Sequence, residues 1–490
     1  MARFLLRGGG IALLLCALVA TALSIPPATP AAAIGGPLSP SLHVRVVADG
    51  LTLPWDVAHT PDDVVLFTER PGRLNARMPG GEIRRITADL GDLFVRGETG
   101  LLGMVLHPDF AENRRFYTCQ GHVGPEIQVI GWTVSADYRT ATRIADPLVG
   151  GIELSTGRHG GCRLRFDLND DLFIATGDAA SSTAPQSLTS LAGKVLRVDP
   201  DTGEGVAGNP FAASANADTR RIYSFGHRNL QGLSRRPGTN EMWTVEHGPS
   251  RDDEINRIVA GGNYGWDPGP GYNENVPMTD LVAFPNAIEA QWSTGSPTLA
   301  MAGGYWINGR HWGPLDGTLA VASLKNSTLR FFEFDGDGEF LATEIGDELT
   351  RTYGRLRTPM AGPRGTLYVT TSNGSNDKIL QITPTGSPRG SLDVVRVRDG
   401  FVRIKGWAID PNRIRPSQVQ VLIDGEVVTT RTARTRRSDV GAVFPDYGSR
   451  HGFSFRVSTP DGPFELCVEA IDSGRRKQAP VELGCRTVNG

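Results

Sequence analysis

The feature that most constrains this 490-residue chain is a local pattern that recurs six times before residue 384. A turn rich in Asp, Gly or Pro leads into a short aromatic or aliphatic strand that ends in small or hydroxylated residues. It is read as DDVVLFTE around Phe67, NRRFYTC around Phe116 and NDDLFIATGD around Phe173, then as TNEMWTVEHG around Trp243, LDGTLAVAS around Leu319 and PRGTLYVTTS around Tyr368. Short strands repeated in this way fold by radial repetition, so the expected class is all-β, a six-bladed β-propeller. A large β-sandwich would use the same strands, and the uneven spacing keeps it as the alternative. The longest gaps read as loops laid over one face. Sixty glycines, 33 prolines and only 21% charged residues favour turns and strands over helices.

The stretch TPTGSPRGS marks a boundary, being rich in Gly, Pro and Ser and without periodicity. The expected layout is a propeller over 34–384, a linker over 385–391 and a β-sandwich over 392–490. In that last region FVRIKGWAID, SQVQVLIDGEVV, GFSFRVST and FELCVEAI alternate apolar and polar residues between turns. Its GWAIDP and HGF resemble a domain appended to the C-termini of secreted proteins, and no chemistry is assigned to it.

At the other end, Arg3 and Arg7 precede the apolar run IALLLCALVATAL, and TPAAAIGG follows. This is the order of a signal peptide over 1–33 with cleavage after Ala33, which implies a secreted, extracytoplasmic protein. The run is short for a bilayer, Pro26 and Pro27 end it early, and no later stretch is apolar enough to span a membrane. Beyond it lie four cysteines, an even number in an exported chain, which favours disulfides. Cys467 pairs most simply with Cys485, leaving Cys119 with Cys162, and the spacings fit no zinc pattern. The formal charge is −3, from 50 basic and 53 acidic residues, which gives no electrostatic case for nucleic acid or an anionic membrane.

A propeller gathers function at its channel mouth, on loops far apart in sequence. Four segments stand out. In TGRHGGCRLRF, His159 precedes Gly160 and Gly161, where backbone can approach a ligand closely, and Asp178 ends the following strand. A return of that strand would set Asp178 beside His159, fix its tautomer and make it a general base. SFGHRNLQG places Arg228 and Asn229 after a strand. VEHGPSRDDEIN and GGNYGWDPGPGY bring Gly248, Pro249, Asp252, Asp253, Glu254 and the Tyr264 backbone into oxygen-rich turns that suit a hard cation such as calcium. SLKNSTL and YGRLRTP supply Lys325, Arg355 and Arg357; three cations converging on one channel mouth repel each other unless they meet an anion. Taken singly, each segment also reads as a capped turn, a solvated acidic loop or ordinary surface charge.

Together, ETGLLGMVLHPDF, RHGGCRLRF, GKVLRVDPDTG, GNPF, FGHRNLQG, EHGPSRDDEIN, GNYGW, SLKNSTL and YGRLRTP make the region from about 45 to 384 resemble the soluble quinoprotein glucose dehydrogenases and related aldose sugar dehydrogenases. That family's fold is a six-bladed propeller. The resemblance implies pyrroloquinoline quinone (PQQ), a tricarboxylate, held by Lys325, Arg355 and Arg357, with Arg228 and Asn229 against the quinone and Gln186 lining the same pocket. It implies a calcium ion on the Gly248 and Pro249 carbonyls and a second at Glu254 and Tyr264. His159 matches the catalytic base and Asp178 its partner, with Arg228 polarising the quinone oxygen. The implied reaction oxidises an aldose at its anomeric carbon to a lactone, and electrons leave to an external acceptor. The chain departs from the pattern at Cys162, which stands where a second adjacent glycine is expected. A non-catalytic secreted propeller that binds a carbohydrate or protein partner is the alternative, and a binding module has no reason to keep three cations facing one channel. A metal-dependent lactonase would want more side-chain carboxylates and amides in the channel.

Overall fold

The computed structural model describes residues 40–474 and 479–489, so the expected signal peptide lies outside the described residues. Six four-stranded antiparallel sheets succeed one another from Ser41 to Thr385. Their first strands are Pro54–His59, Leu101–Leu106, Gly161–Phe166, Leu230–Arg235, Met301–Trp306 and Leu356–Ala361. Each packs against the first strand of the next sheet, and the last returns to Pro54–His59, closing a ring about a central axis. This is the arrangement of a β-propeller.

The six repeats read from the sequence are the second strands of these sheets. Phe67, Phe116, Phe173, Trp243, Leu319 and Tyr368 lie in Val65–Glu69, Arg115–His122, Leu172–Thr176, Met242–Glu246, Leu319–Ser323 and Leu367–Thr371. All six residues are buried. A second strand is covered on both faces by neighbouring sheets, so its sequence is a continuous apolar run and does not alternate. Exposure rises outward: Phe340–Ile345, the last strand of the fifth sheet, is open to solvent along most of its length. The apolar side chains collect between sheets as separate wedges. Phe116 and Leu66 pack between the first and second sheets, Ile174 and Ile127 between the second and third, and Trp243 and Trp306 between the fourth and fifth.

Every first strand breaks register with its second strand near its start, at Trp55–Asp56, Leu102–Gly103, Cys162, Gln231, Ala302–Gly303 and Arg357–Thr358. A bulge turns the extra residues out of the ladder and re-aims their side chains. Threonines on the second strands fill two of the gaps: Thr68 Oγ1 accepts from Asp56 N at 3.1 Å, and Thr370 Oγ1 from Thr358 N at 3.2 Å. The ring is closed by both ends of the region, because Ser41–Leu51 pairs with Asp377–Thr385 as the outermost strand of the sixth sheet.

The C-terminal region forms two sheets around one core. Arg389–Arg398, Phe401–Ile409 and Gly452–Ser458 make the first, and Gln418–Ile423, Glu426–Thr432, Pro463–Ile471 and Val481–Asn489 the second. The first of these strands begins inside the stretch read as a linker, which leaves residues 386–388 as the connection. Both expected disulfides are present. Cys119–Cys162 joins the second and third sheets, and Cys467–Cys485 joins two paired strands.

Candidate active site

Five of the six bulges border a cavity of about 450 Å³ at one end of the ring axis. Trp55, Leu102, Gly161, Gln231 and Arg357 line it, and each comes from a first strand at or beside its bulge. Below them the axis is filled by a buried ion pair, Arg163 Nη1 to Asp56 Oδ2 at 2.8 Å. The Arg163 guanidinium lies 4.0 Å from the Trp55 ring centroid and also donates to Gln231 O and Thr358 Oγ1. Paired and hydrogen-bonded to three sheets, that charge is compensated where it stands.

The wall above is unbalanced. Arg70, Arg355 and Arg357 line it against a single carboxylate, Glu98. Burial and the neighbouring Arg163 push the Arg357 guanidinium down to about 9. It donates to Gln231 Oε1 and Ser372 Oγ, both neutral acceptors, at 3.1 and 3.2 Å. A guanidinium does not shed its proton at neutral pH, so the charge stays and the cavity favours an anion. Lys325 is exposed and follows Leu324, itself part of the lining.

His159 and Asp178 meet through the third sheet. The pairing Gly161↔Thr176 sets the residues flanking the two strands side by side. His159 adopts a left-handed φ of 55°, and a Cβ on Gly177 would stand 1.9 Å from its carbonyl oxygen, so the close approach requires glycine there. His159 Nδ1 is 2.8 Å from Asp178 Oδ1, and both side chains are buried. The carboxylate fixes the proton on Nδ1, leaving Nε2 without a partner among the described residues. Gly160 and Gly161, next in the chain, form part of the cavity wall.

Arg228 and Asn229 adjoin this couple. Asp178 N donates to Arg228 O at 2.7 Å; Asn229 Oδ1 accepts from Gly161 N, and its amide donates to Glu98 Oε2 at 3.1 Å. The Arg228 guanidinium donates to His247 O at 2.6 Å and to Glu274. Glu274 also takes Arg158 at 2.7 Å. Gln186 is placed differently: both ends of its amide pair with Asn263, its nitrogen also reaches Trp266 O, and it clasps two loops outside the cavity lining.

The turn carrying Gly248 and Pro249 is organised by Asp253, which accepts from Gly248 N, Leu299 N and Met301 N at 2.7–3.1 Å. The Gly248 carbonyl accepts from His247 Nδ1. Glu254 is buried beside Glu246, and burial first, then that neighbour, raise its carboxyl well above the usual carboxylate range. Asn256 Oδ1 is buried next to it without a hydrogen-bond partner among the described residues, and the Thr279 hydroxyl also adjoins the carboxyl. Two buried carboxylates beside an orphaned amide oxygen and a hydroxyl are the donor chemistry of a hard cation. The Tyr264 hydroxyl points away, donating to Arg257 O, while its ring stacks on His227 at 4.5 Å.

Four residues of the site were not singled out in the sequence, although Glu98 opens ETGLLGMVLHPDF and Tyr272 closes GGNYGWDPGPGY. Arg70 reaches the cavity from the turn between the second and third strands of the first sheet, and Glu98 from the loop between the first and second sheets. Tyr272 and Glu274 lie over His159 and Arg228 on the loop after GNYGWDPG. Their roles exist only once the ring closes.

The family model described as Glucose / Sorbosone dehydrogenase matches residues 51–381. Aldose sugar dehydrogenase YliI of Escherichia coli K12 is 32% identical over 355 residues, covering 70% of this chain and 93% of that protein. Among solved structures, the PQQ-bound form of aldose sugar dehydrogenase from Streptomyces coelicolor superposes with a TM-score of 0.60 at 26% identity, over 71% of this chain and 99% of the other. The apo-form of the soluble Escherichia coli aldose sugar dehydrogenase gives 0.61 at 29% identity, over 70% and 100%.

Proposed function

The chain belongs to the glucose/sorbosone dehydrogenase family, and from that premise we propose that it is an exported quinoprotein that oxidises aldoses at the anomeric carbon to lactones. The ring of six sheets is read as a six-bladed propeller over 34–384 that carries the chemistry, and the two C-terminal sheets as an appended β-sandwich. The observation that carries the reading is the His159–Asp178 couple set beside a cavity whose arginines outnumber its acids.

The cavity suits PQQ: Arg355 and Arg357 in the wall, with Lys325 at its edge, would meet its three carboxylates, and Arg228 and Asn229 would lie against the quinone. The Gly248 and Pro249 carbonyls would hold calcium beside it, and the buried oxygens around Glu254, with the Tyr264 carbonyl, a second calcium ion. When bound, PQQ supplies a two-electron hydride acceptor and calcium a Lewis acid at its carbonyl oxygen. The protein's own part is acid–base and positional. His159 Nε2 takes the proton of the anomeric hydroxyl as the C1–H bond breaks, and Asp178 stabilises the resulting imidazolium through Nδ1. Arg228 stabilises negative charge developing opposite. An external acceptor then collects the electrons.

A non-catalytic binding propeller has no use for a buried imidazole locked in one tautomer. The test is reconstitution with calcium and PQQ followed by dye reduction with glucose and a panel of aldoses. Turnover with at least one aldose is the expected result, and none with any would overturn the reading.

A further inference from the structure

We propose that Tyr272 is a positioning residue for His159, the third member of a hydrogen-bonded triangle with His159 and Asp178. The inference rests on the reading of His159 as the base.

The Tyr272 hydroxyl oxygen lies 2.7 Å from His159 Nδ1 and 3.0 Å from Asp178 Oδ2. The two rings are tilted by 50° with centroids 6.0 Å apart, so the contact is made through the hydroxyl and not by stacking. Asp178 collects four donors: His159 Nδ1 and Ala180 N on Oδ1, Trp266 Nε1 and Tyr272 on Oδ2. Both donors on Oδ2 come from the stretch that follows the fourth sheet's third strand, Glu254–Arg257. Burial, and after it the adjacent Asp178, push the phenol upward, so it keeps its proton and remains a donor wherever the protein is folded.

The consequence for His159 is geometric. Its Nδ1 proton faces two oxygens at once, the carboxylate and the phenol. A ring flip would exchange Nδ1 for carbon and forfeit both acceptors, so Nε2 is held as the nitrogen that receives a proton. Tyr272 is itself held from several sides. It sits at a left-handed φ of 56° directly after Gly271. Asn273 N closes the turn onto Pro268 O at 2.7 Å, and Arg251 donates to Asn275 O at 2.9 Å. Glu274 ties the segment to Arg158 and Arg228, and the Arg158 guanidinium lies 5.5 Å from the Tyr272 ring centroid. A side chain serving only to cover the site would not need its hydroxyl placed between the two partners of the couple.

The experiment compares wild type with Tyr272→Phe, which removes one oxygen and keeps the ring. In the cofactor-free proteins, ¹⁵N NMR of the histidines reads the His159 tautomer and its titration. In proteins reconstituted with calcium and PQQ, the pH profile of kcat/KM is recorded beside a PQQ titration. Expected are an Nδ1–H tautomer in the wild type and a His159 titration and base limb moved by about half a pH unit or more in the variant. The variant's kcat should fall by about tenfold or more, with aldose KM and PQQ midpoint within about twofold. An Nε2–H tautomer in the wild type overturns the proposal whatever the variant does. So does an unmoved limb with unchanged kcat, or a loss of PQQ affinity that accounts for the whole fall in rate. If the reconstituted wild type oxidises no aldose, the sugar-oxidation reading fails, and the His159 tautomer and titration still decide for or against Tyr272.

Discussion

His159 can serve as a base only while its other ring nitrogen stays protonated, and the 2.8 Å contact to Asp178 Oδ1 enforces that. Replacing it by Gln keeps a polar side chain of similar reach but removes the site that accepts a proton. His159→Gln should therefore lower kcat by about 10²- to 10⁴-fold, while a spectrophotometric PQQ titration gives the wild-type midpoint. Lost binding with a normal residual rate would reverse the assigned role. At this scale the sequence was informative where a function needs neighbours in the chain. His159 stands out because a close backbone approach demands small residues beside it, here Gly160 and Gly161, and Arg228 and Asn229 because two polar side chains adjoin at a strand's end. Tyr272, Glu98 and Arg70 were illegible for the opposite reason. Glu98 opens ETGLLGMVLHPDF and Tyr272 closes GGNYGWDPGPGY, but no neighbour in the chain assigns any of the three a role, and their partners, such as Asn229 for Glu98, lie up to 131 residues away. Gln186 shows how a side chain in such a stretch can be engaged elsewhere. A polar residue in the right stretch can be consumed by a loop clasp, here with Asn263 and the Trp266 carbonyl.

Among elements, the second strands were legible and the first strands were not. LFIAT or MWTVE between turn residues is a strong strand signal. The first strands carry the bulges that build the cavity, and their apolar runs, interrupted by Gly103, Gly232 or Gly303, resemble loops until the ring covers them. The segment over the site carries a pH prediction of its own. Burial pushes the Glu274 carboxyl up, but hydrogen bonds from Arg158 and Arg228 outweigh it and hold the group down at about 2, against an ordinary 4.5. The folded value lies below the unfolded one, so between them the unfolded chain binds more protons and stability rises with pH. The tether is complete above about pH 4.5 and lost as pH falls through about 2. Amide exchange across residues 268–276, corrected for its intrinsic pH dependence, should show protection falling through that window. Glu274→Gln should show no such step. A wild-type segment equally protected at both ends of the window would mean that Glu274 does not hold it.

For the whole molecule, the decisive contact joins residues more than three hundred positions apart: Ser41 pairs with Thr385 and Leu51 with Asp377. Without Ser41–Leu51 the sixth sheet has three strands, and Asp377–Thr385 becomes an open edge. The loss also reaches the wedges between sheets. Leu42 packs with Leu380 and Ile382 between the fifth and sixth sheets, and Ala48 and Leu51 with Phe67 and Ile379 between the sixth and first. Uncovering two buried leucines costs about 1.5–3 kcal/mol each before the ladder hydrogen bonds are counted. Set against a folding stability of about 5–15 kcal/mol, that is enough to undo the closure. A ring differs from an open stack in that each sheet relies on both neighbours, so the damage does not stay in the sixth sheet. The first and sixth first strands, which carry Trp55 and Arg357 into the cavity, share the wedge that Ala48 and Leu51 fill, through Val57 and Met360. A chain begun at Thr52 should therefore unfold at a markedly lower temperature, elute as aggregate on size exclusion and bind no PQQ. Adding a peptide of residues 41–51 should restore part of each property by pairing with the open edge. A shortened chain that stays monomeric with wild-type Tm and PQQ affinity would show that the ring closes through the contact of first strands alone, with the eleven-residue strand only covering an edge.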